Sequence, residues 1–217
     1  MNRTKNTIGW CDFSWNPITG CLNNCWYCYA KKIYRRFNRS FEPAFHPERL
    51  EEPLKLKKAA KIFCCSVSDL FAAWTKPEWR EEVLKVIEKS YKMGLGHIFQ
   101  LLTKQPQLID VNYGFPNNVW LGVTVTESGE ANKIDYLRRL NVKTKFVSFE
   151  PLLGHVNMNL DGIDWVIIGK LTGSRQVRLD PKWVKHLITE ARKKEIPVFV
   201  KDNVGWKKKI QEFPKVI

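Results

Sequence analysis

"VWLGVTVTESGEANKIDYLRRLNVKTKFVSFE", residues 119–150, reads as strand, helix, strand. The runs at 119–125 and 145–150 are mostly continuous rather than alternating and rich in β-branched and aromatic residues, the pattern of strands buried on both faces. Between them Ala131, Ile134, Leu137 and Leu140 recur at helical spacing and form one apolar stripe. Such a unit implies parallel strands joined by a right-handed crossover.

The same alternation extends in both directions. Further strand-like runs occupy 61–67 (KIFCCSV), 97–103 (HIFQLLT), 164–169 (DWVIIG) and 196–201 (IPVFVK). "TKPEWREEVLKVIEKSYKMG" (75–94) has a capping-box pair, Thr75 and Glu78, Pro77 in its first turn and Gly94 as a stop. "DPKWVKHLITEARKK" (180–194) opens on an Asp180 cap and Pro181 and stripes Val184, Leu187, Ile188 and Ala191. Only the 145–164 connection lacks a helical pattern.

The expected class is α/β: a partial (β/α) barrel of about six parallel strands, TIM-barrel-like, over a single domain 1–217 with short terminal extensions. An open doubly wound sheet is the alternative. Polar residues at the C-terminal ends of nearly all the runs favour the barrel, which gathers such ends around one mouth, whereas an open sheet uses chiefly its switch point. These residues are Ser66, Ser68 and Asp69; Thr103 and Lys104; Thr124 and Thr126; Glu150; Thr172 and Ser174; and Lys201, Asp202 and Asn203.

Composition narrows the class. The chain is 44% hydrophobic, enough for a real core over 217 residues, and no apolar run approaches a membrane span. No membrane association is expected, and a cytoplasmic location is. Six cysteines in this length do not suit a secreted disulfide scaffold, so reduced thiols serving a metal centre are expected. A formal net charge of +14 points to an anionic partner: nucleic acid, a nucleotide or another phosphorylated molecule.

"WNPITGCLNNCWYCYAKKIYRRF" (15–37) carries Cys21, Cys25 and Cys28 in the spacing C-x3-C-x2-C, in the loop expected after a first strand. Gly20 and the Asn23–Asn24 pair supply the conformational tolerance a tight turn needs. Three thiolates suit a [4Fe–4S] cluster with one iron left open. Zinc stays open as well, with Cys11 as a fourth ligand. Cys64 and Cys65 are adjacent within a strand run, where neighbouring side chains point to opposite faces, and are expected to be buried and inert.

With Tyr27 as the aromatic, C-x3-C-x-aromatic-C resembles the signature of the radical S-adenosylmethionine (SAM) superfamily. The blocks IGWCDFSWNPITGC, YAKK, SVSDLF, FQLLTKQP, NNVWLGVTV, FVSFEPLLG, IDWVIIG and DPKWV, in that order, resemble a phage-associated radical-SAM-like family of unknown function. The resemblance runs from about Ile8 to Asn203. Many members have a longer spacer between the first two cysteines. Where they usually read Gly-Gly-Glu-Ser-Gly, this chain reads GKLTG (169–173), with Leu171 in place of the glutamate.

The resemblance implies a radical SAM core in which Cys21, Cys25 and Cys28 hold a [4Fe–4S] cluster whose open iron binds SAM. An electron from a flavodoxin- or ferredoxin-like donor cleaves SAM to a 5′-deoxyadenosyl radical, which abstracts hydrogen from a substrate. It places Tyr27 over the cluster or adenine, with a core aromatic as the competing reading. Ser66, Ser68 and Asp69 would meet SAM, or Ser68 and Asp69 would cap a helix. Thr103, Lys104, Thr124 and Glu150 would hold SAM or the substrate, though Glu150 could equally pair with Lys104 or Lys201. Gly169 and Gly173 fit close backbone approach to a ligand, or turns.

Basic clusters at Lys31, Lys32, Arg35, Arg36 and Arg39, at Lys55, Lys57, Lys58 and Lys61, and at Lys207–Lys209 suit phosphates, while nine tryptophans offer stacking surfaces. The leading expectation is a radical SAM enzyme acting on a nucleic acid or nucleotide, in modification or repair. Two others remain: a non-catalytic iron–sulfur or SAM-binding partner or sensor, and a zinc-binding nucleic-acid module.

Overall fold

The computed structural model describes residues 1–4, 8–172 and 177–215. Its elements are β1 (Asn2–Arg3), β2 (Phe13–Trp15), β3 (Ile18–Thr19), α1 (Tyr29–Arg36), β4 (Ala44–Phe45), β5 (Lys61–Cys64), α2 (Pro77–Lys92), β6 (Ile98–Thr103), β7 (Val119–Thr124), α3 (Asn132–Arg139), β8 (Thr144–Phe149), β9 (Trp165–Ile168), α4 (Pro181–Lys193) and β10 (Val198–Val200). Eight strands form one sheet in the order β1-β2-β5-β6-β7-β8-β9-β10, and β3 pairs with β4 in a separate hairpin.

Seven strands, β2 and β5 to β10, run parallel; β1 alone lies antiparallel, on the edge beside β2. The expectation of about six parallel strands therefore falls short. β1 has two residues, and in β2 Phe13 and Trp15 alternate with Asp12, Ser14 and Asn16, so no continuous apolar run marks either strand. The connection from β6 to β7 also lacks an α-helix, as the β8–β9 connection does, and holds only a single 3-10 turn at Pro106–Leu108.

The strands follow one another in sequential order and the sheet curls into a half-barrel, as the packing demonstrates. Trp10 meets Phe63 on β5 at 4.6 Å between ring centroids and Trp165 on β9 at 6.2 Å. In a flat sheet those two strands would lie four spacings apart, about 19 Å. One indole reaches both only because the sheet wraps around it.

Strand alternation divides the core. Ile62, Leu101, Leu121, Val147, Val166 and Val198 point outward into the main core beneath the helices. There α2 contributes Val83, Val86 and Ile87, α3 Ile134 and Leu137, and α4 Val184, Leu187 and Ala191. Each large side chain so buried stabilises the fold by about 1.5–3 kcal/mol. Phe63, Trp120, Phe146, Trp165 and Phe199 point inward and, with Trp10, fill the concave side with an aromatic plug. Gly122 makes room for it, since a Cβ there would lie 2.4 Å from the Phe146 ring.

Helix boundaries follow local chemistry. Asp180 caps α4, accepting from the Lys182 N–H at 2.8 Å, and Gly94 ends α2 in a left-handed conformation. Thr75 does not cap α2. Pro77 fixes the first helical residue, and Lys76 before it is extended, as a residue preceding proline prefers, so Thr75 lies one position too early. Its hydroxyl donates to the Asp69 carbonyl instead. Among the described residues no helix is long and apolar enough to cross a membrane.

Candidate functional site

The cysteine loop leaves the C-terminal end of β2 and is held from both sides. On one side, the β3–β4 hairpin brings the backbone of Phe41 and Glu42 against Gly20, whose Cβ, if present, would lie 2.1 Å from the Glu42 carbonyl oxygen. The Cys21 N–H donates to the Phe41 carbonyl at 3.1 Å. No side chain fits at residue 20, and its φ of +80° suits glycine besides.

On the other side stands Asp69, which is 3% exposed. Its carboxylate accepts from the Thr103 hydroxyl at 2.8 Å, the Lys104 N–H at 2.9 Å, the Phe71 N–H at 3.2 Å and the Asn23 amide at 3.3 Å. Asn23 sits between the first two cysteines and also accepts from the Gln105 side chain at 2.6 Å. Ser68 donates to the Gly20 carbonyl at 2.7 Å, and Ser66 donates to Asn16 at 3.1 Å. The stretch expected to meet SAM thus clamps the cysteine loop to the ends of β5 and β6. The hydrogen bonds of Asp69, Thr103, Ser66 and Ser68 are made within the protein.

The thiols have distinct settings. Cys28 is the N-cap of α1 and accepts from the Lys31 N–H at 3.4 Å. Burial pushes the Cys21 thiol up to about 11, with Asp69, Cys25 and Cys28 adding to the rise against a backbone hydrogen bond at Asn23. Tyr27 is raised by burial and then by the proximity of Cys25 and Glu130. Lys104 carries its ammonium 5.4 Å above the Tyr27 ring centroid, within cation–π range. Burial lowers its pKa, partly offset by Cys25. Among the described residues Lys104 makes no ion pair.

Beyond Tyr27, Glu130 accepts from the Thr126 N–H and hydroxyl at 2.7 and 2.8 Å and from Lys133 at 2.5 Å. Burial pushes Glu130 up, but Lys133 and Thr126 outweigh it and leave the carboxyl below its ordinary value. Thr124, next to Ser148 in register, is buried on the inner side of β7. Glu150, one residue past β8, is ion-paired with Lys201 past β10. Gly169 lies beneath it, where a Cβ would fall 2.7 Å from Glu150 Cδ. The glycine accommodates a glutamate of the same chain. Gly173 and Ser174 lie outside the described residues.

Two cysteine expectations need correction. Cys11 lies near the opposite end of β2 from the cysteine loop, 1% exposed among the aromatic plug and 3.0 Å from the Thr4 hydroxyl, so it is not a fourth ligand there. Cys64 and Cys65 do not face opposite sides. Cys65 leaves the strand with a φ of +56°, which swings it into the same core, with its sulfur 3.6 Å from that of Cys64. Both are buried, as expected.

Among the described residues no three or more His, Cys, Asp or Glu side chains are gathered as a single metal ion requires. A four-iron cubane is a different fit, because its irons occupy separate corners and hold their thiolates farther apart than one ion does. Three half-buried thiols on one loop clamped by Asn23, Ser68 and Asp69 are the donor set such a group takes. Asn16, Asn23, Gln105, Glu130 and Lys133 belong to the site but were not legible beforehand. Asn23 carries the signal of a turn former, Asn16 and Gln105 lie within resembling blocks without a chemical signal of their own, and Glu130 and Lys133 lie outside every block. A separate open cleft of about 490 Å³, lined by Trp120, Arg192 and Glu212 among others, lies at the N-terminal end of the strands, away from these residues.

The fold and site define a mostly parallel α/β half-barrel with a three-cysteine loop at the C-terminal mouth of its strands. Residues 5–215 match the family described as "Protein of unknown function (DUF5131)", and the chain belongs to that family. No curated protein and no solved structure matches the chain.

Proposed function

We propose that the chain is a radical SAM enzyme whose Cys21, Cys25 and Cys28 hold a [4Fe–4S] cluster at the mouth of a TIM-barrel-like half-barrel. The observation that carries this reading is the cysteine loop itself: three thiols on one turn, clamped by Asn23, Asp69 and Gln105. When bound, a reduced cluster supplies the electron that cleaves the sulfonium C–S bond of SAM, leaving a 5′-deoxyadenosyl group able to take hydrogen from a substrate.

The chain's own residues have defined tasks. Gly20 and Asp69 fix the loop so that the thiols need not be ordered on binding. Lys104, a half-buried cation without an ion-pair partner among the described residues, would attract the carboxylate of SAM or an anionic group of the substrate. Its ammonium rests on Tyr27, which sets its direction. The Glu150–Lys201 pair bridges the ends of β8 and β10 and holds the far wall of the mouth. The aromatic plug closes the concave side below and excludes water from it.

Anaerobic reconstitution with iron and sulfide, then reduction in the presence of SAM, tests the reading. The expected results are four irons per chain and release of 5′-deoxyadenosine, with Cys25→Ala abolishing both. Tight stoichiometric zinc and no 5′-deoxyadenosine would overturn it in favour of a zinc module. A full cluster without SAM cleavage would leave a non-catalytic partner or sensor.

A further inference from the structure

Helix α1, directly after the cysteine loop, buries only Ala30. Tyr29, Lys32, Ile33 and Arg36 follow the i, i+3, i+4, i+7 spacing that defines one helical face, and all four are exposed. An amphipathic helix ordinarily turns such a face to the core. Here Trp26 precedes the stripe at 57% exposure and Phe37 follows it at 62%. Scattered exposed apolar residues are ordinary, but here five large ones fall within the sixteen residues from Leu22 to Phe37.

The charge of this stretch has one sign. From Phe13 to Phe41 the chain has no acidic residue, yet it carries Lys31, Lys32, Arg35, Arg36 and Arg39. Among the described residues Lys32, Arg35, Arg36 and Arg39 make no ion pair. Tyr29 is fixed as a platform, because its hydroxyl donates to the Ser66 carbonyl at 2.7 Å while its ring remains half exposed. The Arg39 guanidinium lies 5.8 Å from the Phe37 ring centroid.

We propose that this face of α1, with Trp26 and Phe37, is a docking surface for single-stranded nucleic acid. Phosphates neutralise the arginines and lysines while unpaired bases stack on the exposed rings. Protein–protein surfaces place an apolar centre inside a polar rim. Here Lys32 and Arg36 interleave with Tyr29 and Ile33 along one stripe flanked by the Trp26 and Phe37 rings, which matches a polymer that alternates charge and flat apolar faces. From Tyr29 to Phe37 the platform runs about 12 Å along the helix axis, enough for more than one nucleotide. A duplex, whose base faces are stacked internally, cannot use the rings. That the bound strand is the enzyme's substrate rests on the function proposed above; the surface itself does not.

Binding of a labelled mixed-sequence single-stranded oligonucleotide to the purified full chain, without reconstitution or SAM, tests the surface separately from the chemistry. With four cations engaged, log K is expected to fall against log salt with a slope of about −3. Replacing Arg35, Arg36 and Arg39 together with Ala should bring that slope to about −1. Trp26→Ala and Phe37→Ala should each weaken binding about tenfold or more at constant salt slope. Replacing Lys55, Lys57 and Lys58, which removes equal charge from the N-terminal end of β5, should leave binding intact. No binding at low salt, equal loss in the Lys55/Lys57/Lys58 variant, or equal affinity for a duplex or for polyglutamate would each overturn the proposal. So would self-association of the chain that Trp26→Ala abolishes while oligonucleotide binding is absent.

Discussion

Gly169 lies directly beneath Glu150: a Cβ on residue 169 would sit 2.7 Å from the glutamate Cδ and 3.0 Å from its Oε1. β8 and β9 are neighbours, so the residues just past their ends meet on the inner side of the mouth. Glu150 uses that space to reach Lys201. Gly169→Ala should push Glu150 aside and weaken the pair, costing about 1–3 kcal/mol as overpacking does. Urea midpoints at constant slope check the cost. The double variant Gly169→Ala/Lys201→Met should lose less than the sum of its parts, since both break one interaction.

Asp69→Ala should be the most damaging polar substitution at the site. It strands the buried Thr103 hydroxyl, the Lys104 N–H and the Asn23 amide, each costing about 1–3 kcal/mol when left unpaired. The cysteine loop loses its clamp at the same stroke. Alkylation of Cys21 and Cys25 by iodoacetamide should therefore quicken in folded protein, while buried Cys64 and Cys65 should stay unreactive.

Gly122→Ala should destabilise the half-barrel without touching the mouth. Its Cβ would meet the Phe146 ring at 2.4 Å inside the aromatic plug, and roughly 1–3 kcal/mol is expected from such overpacking. Gly94→Ala makes the contrast. Nothing lies within 4 Å of a Cβ there, so only the left-handed φ of +64° resists, at about 1 kcal/mol. Thermal unfolding of the two variants should rank them in that order.

The Thr126–Glu130–Lys133 cluster should make stability fall in acid. The Glu130 carboxyl is held below its ordinary value in the folded protein, so the unfolded chain binds its proton first as pH falls. Its contribution is complete above about pH 4.3, the unfolded glutamate value, and is lost as pH drops through the folded one. Glu130→Gln should lower stability at neutral pH, and the gap from wild type should close in acid. A gap independent of pH across that window would contradict the assignment.

The fold was legible where chemistry is local. Continuous apolar runs marked the parallel strands β5 to β10, and the Asp180–Pro181 start of α4 is fully encoded in its own few residues. Thr75 shows the boundary of that legibility, because the capping-box spacing was present but Pro77 shifted the helix start past it. β2 carries no continuous apolar run, because Asp12, Ser14 and Asn16 alternate with Phe13 and Trp15, and only the cysteine loop pointed to a strand before it. The strand exists because Phe13 to Trp15 pair with Ile62 to Cys64, nearly fifty residues on.

By itself the sequence determined the α/β alternation, the cysteine spacing and the positive charge of the stretch from Phe13 to Phe41, because each depends on residues close in the chain. Only the tertiary structure decided what the strand-end polar residues do. Asp69 and Thr103 turned toward each other, Glu150 toward Lys201, and Lys104 onto Tyr27. A buried carboxylate takes whatever donors the packed fold brings within reach, and those donors come from strands whose neighbourhood no local pattern records. The exposure of Tyr29 and Arg36 was settled in the same way. Their spacing draws a helical face, but the rest of the fold left it turned to solvent.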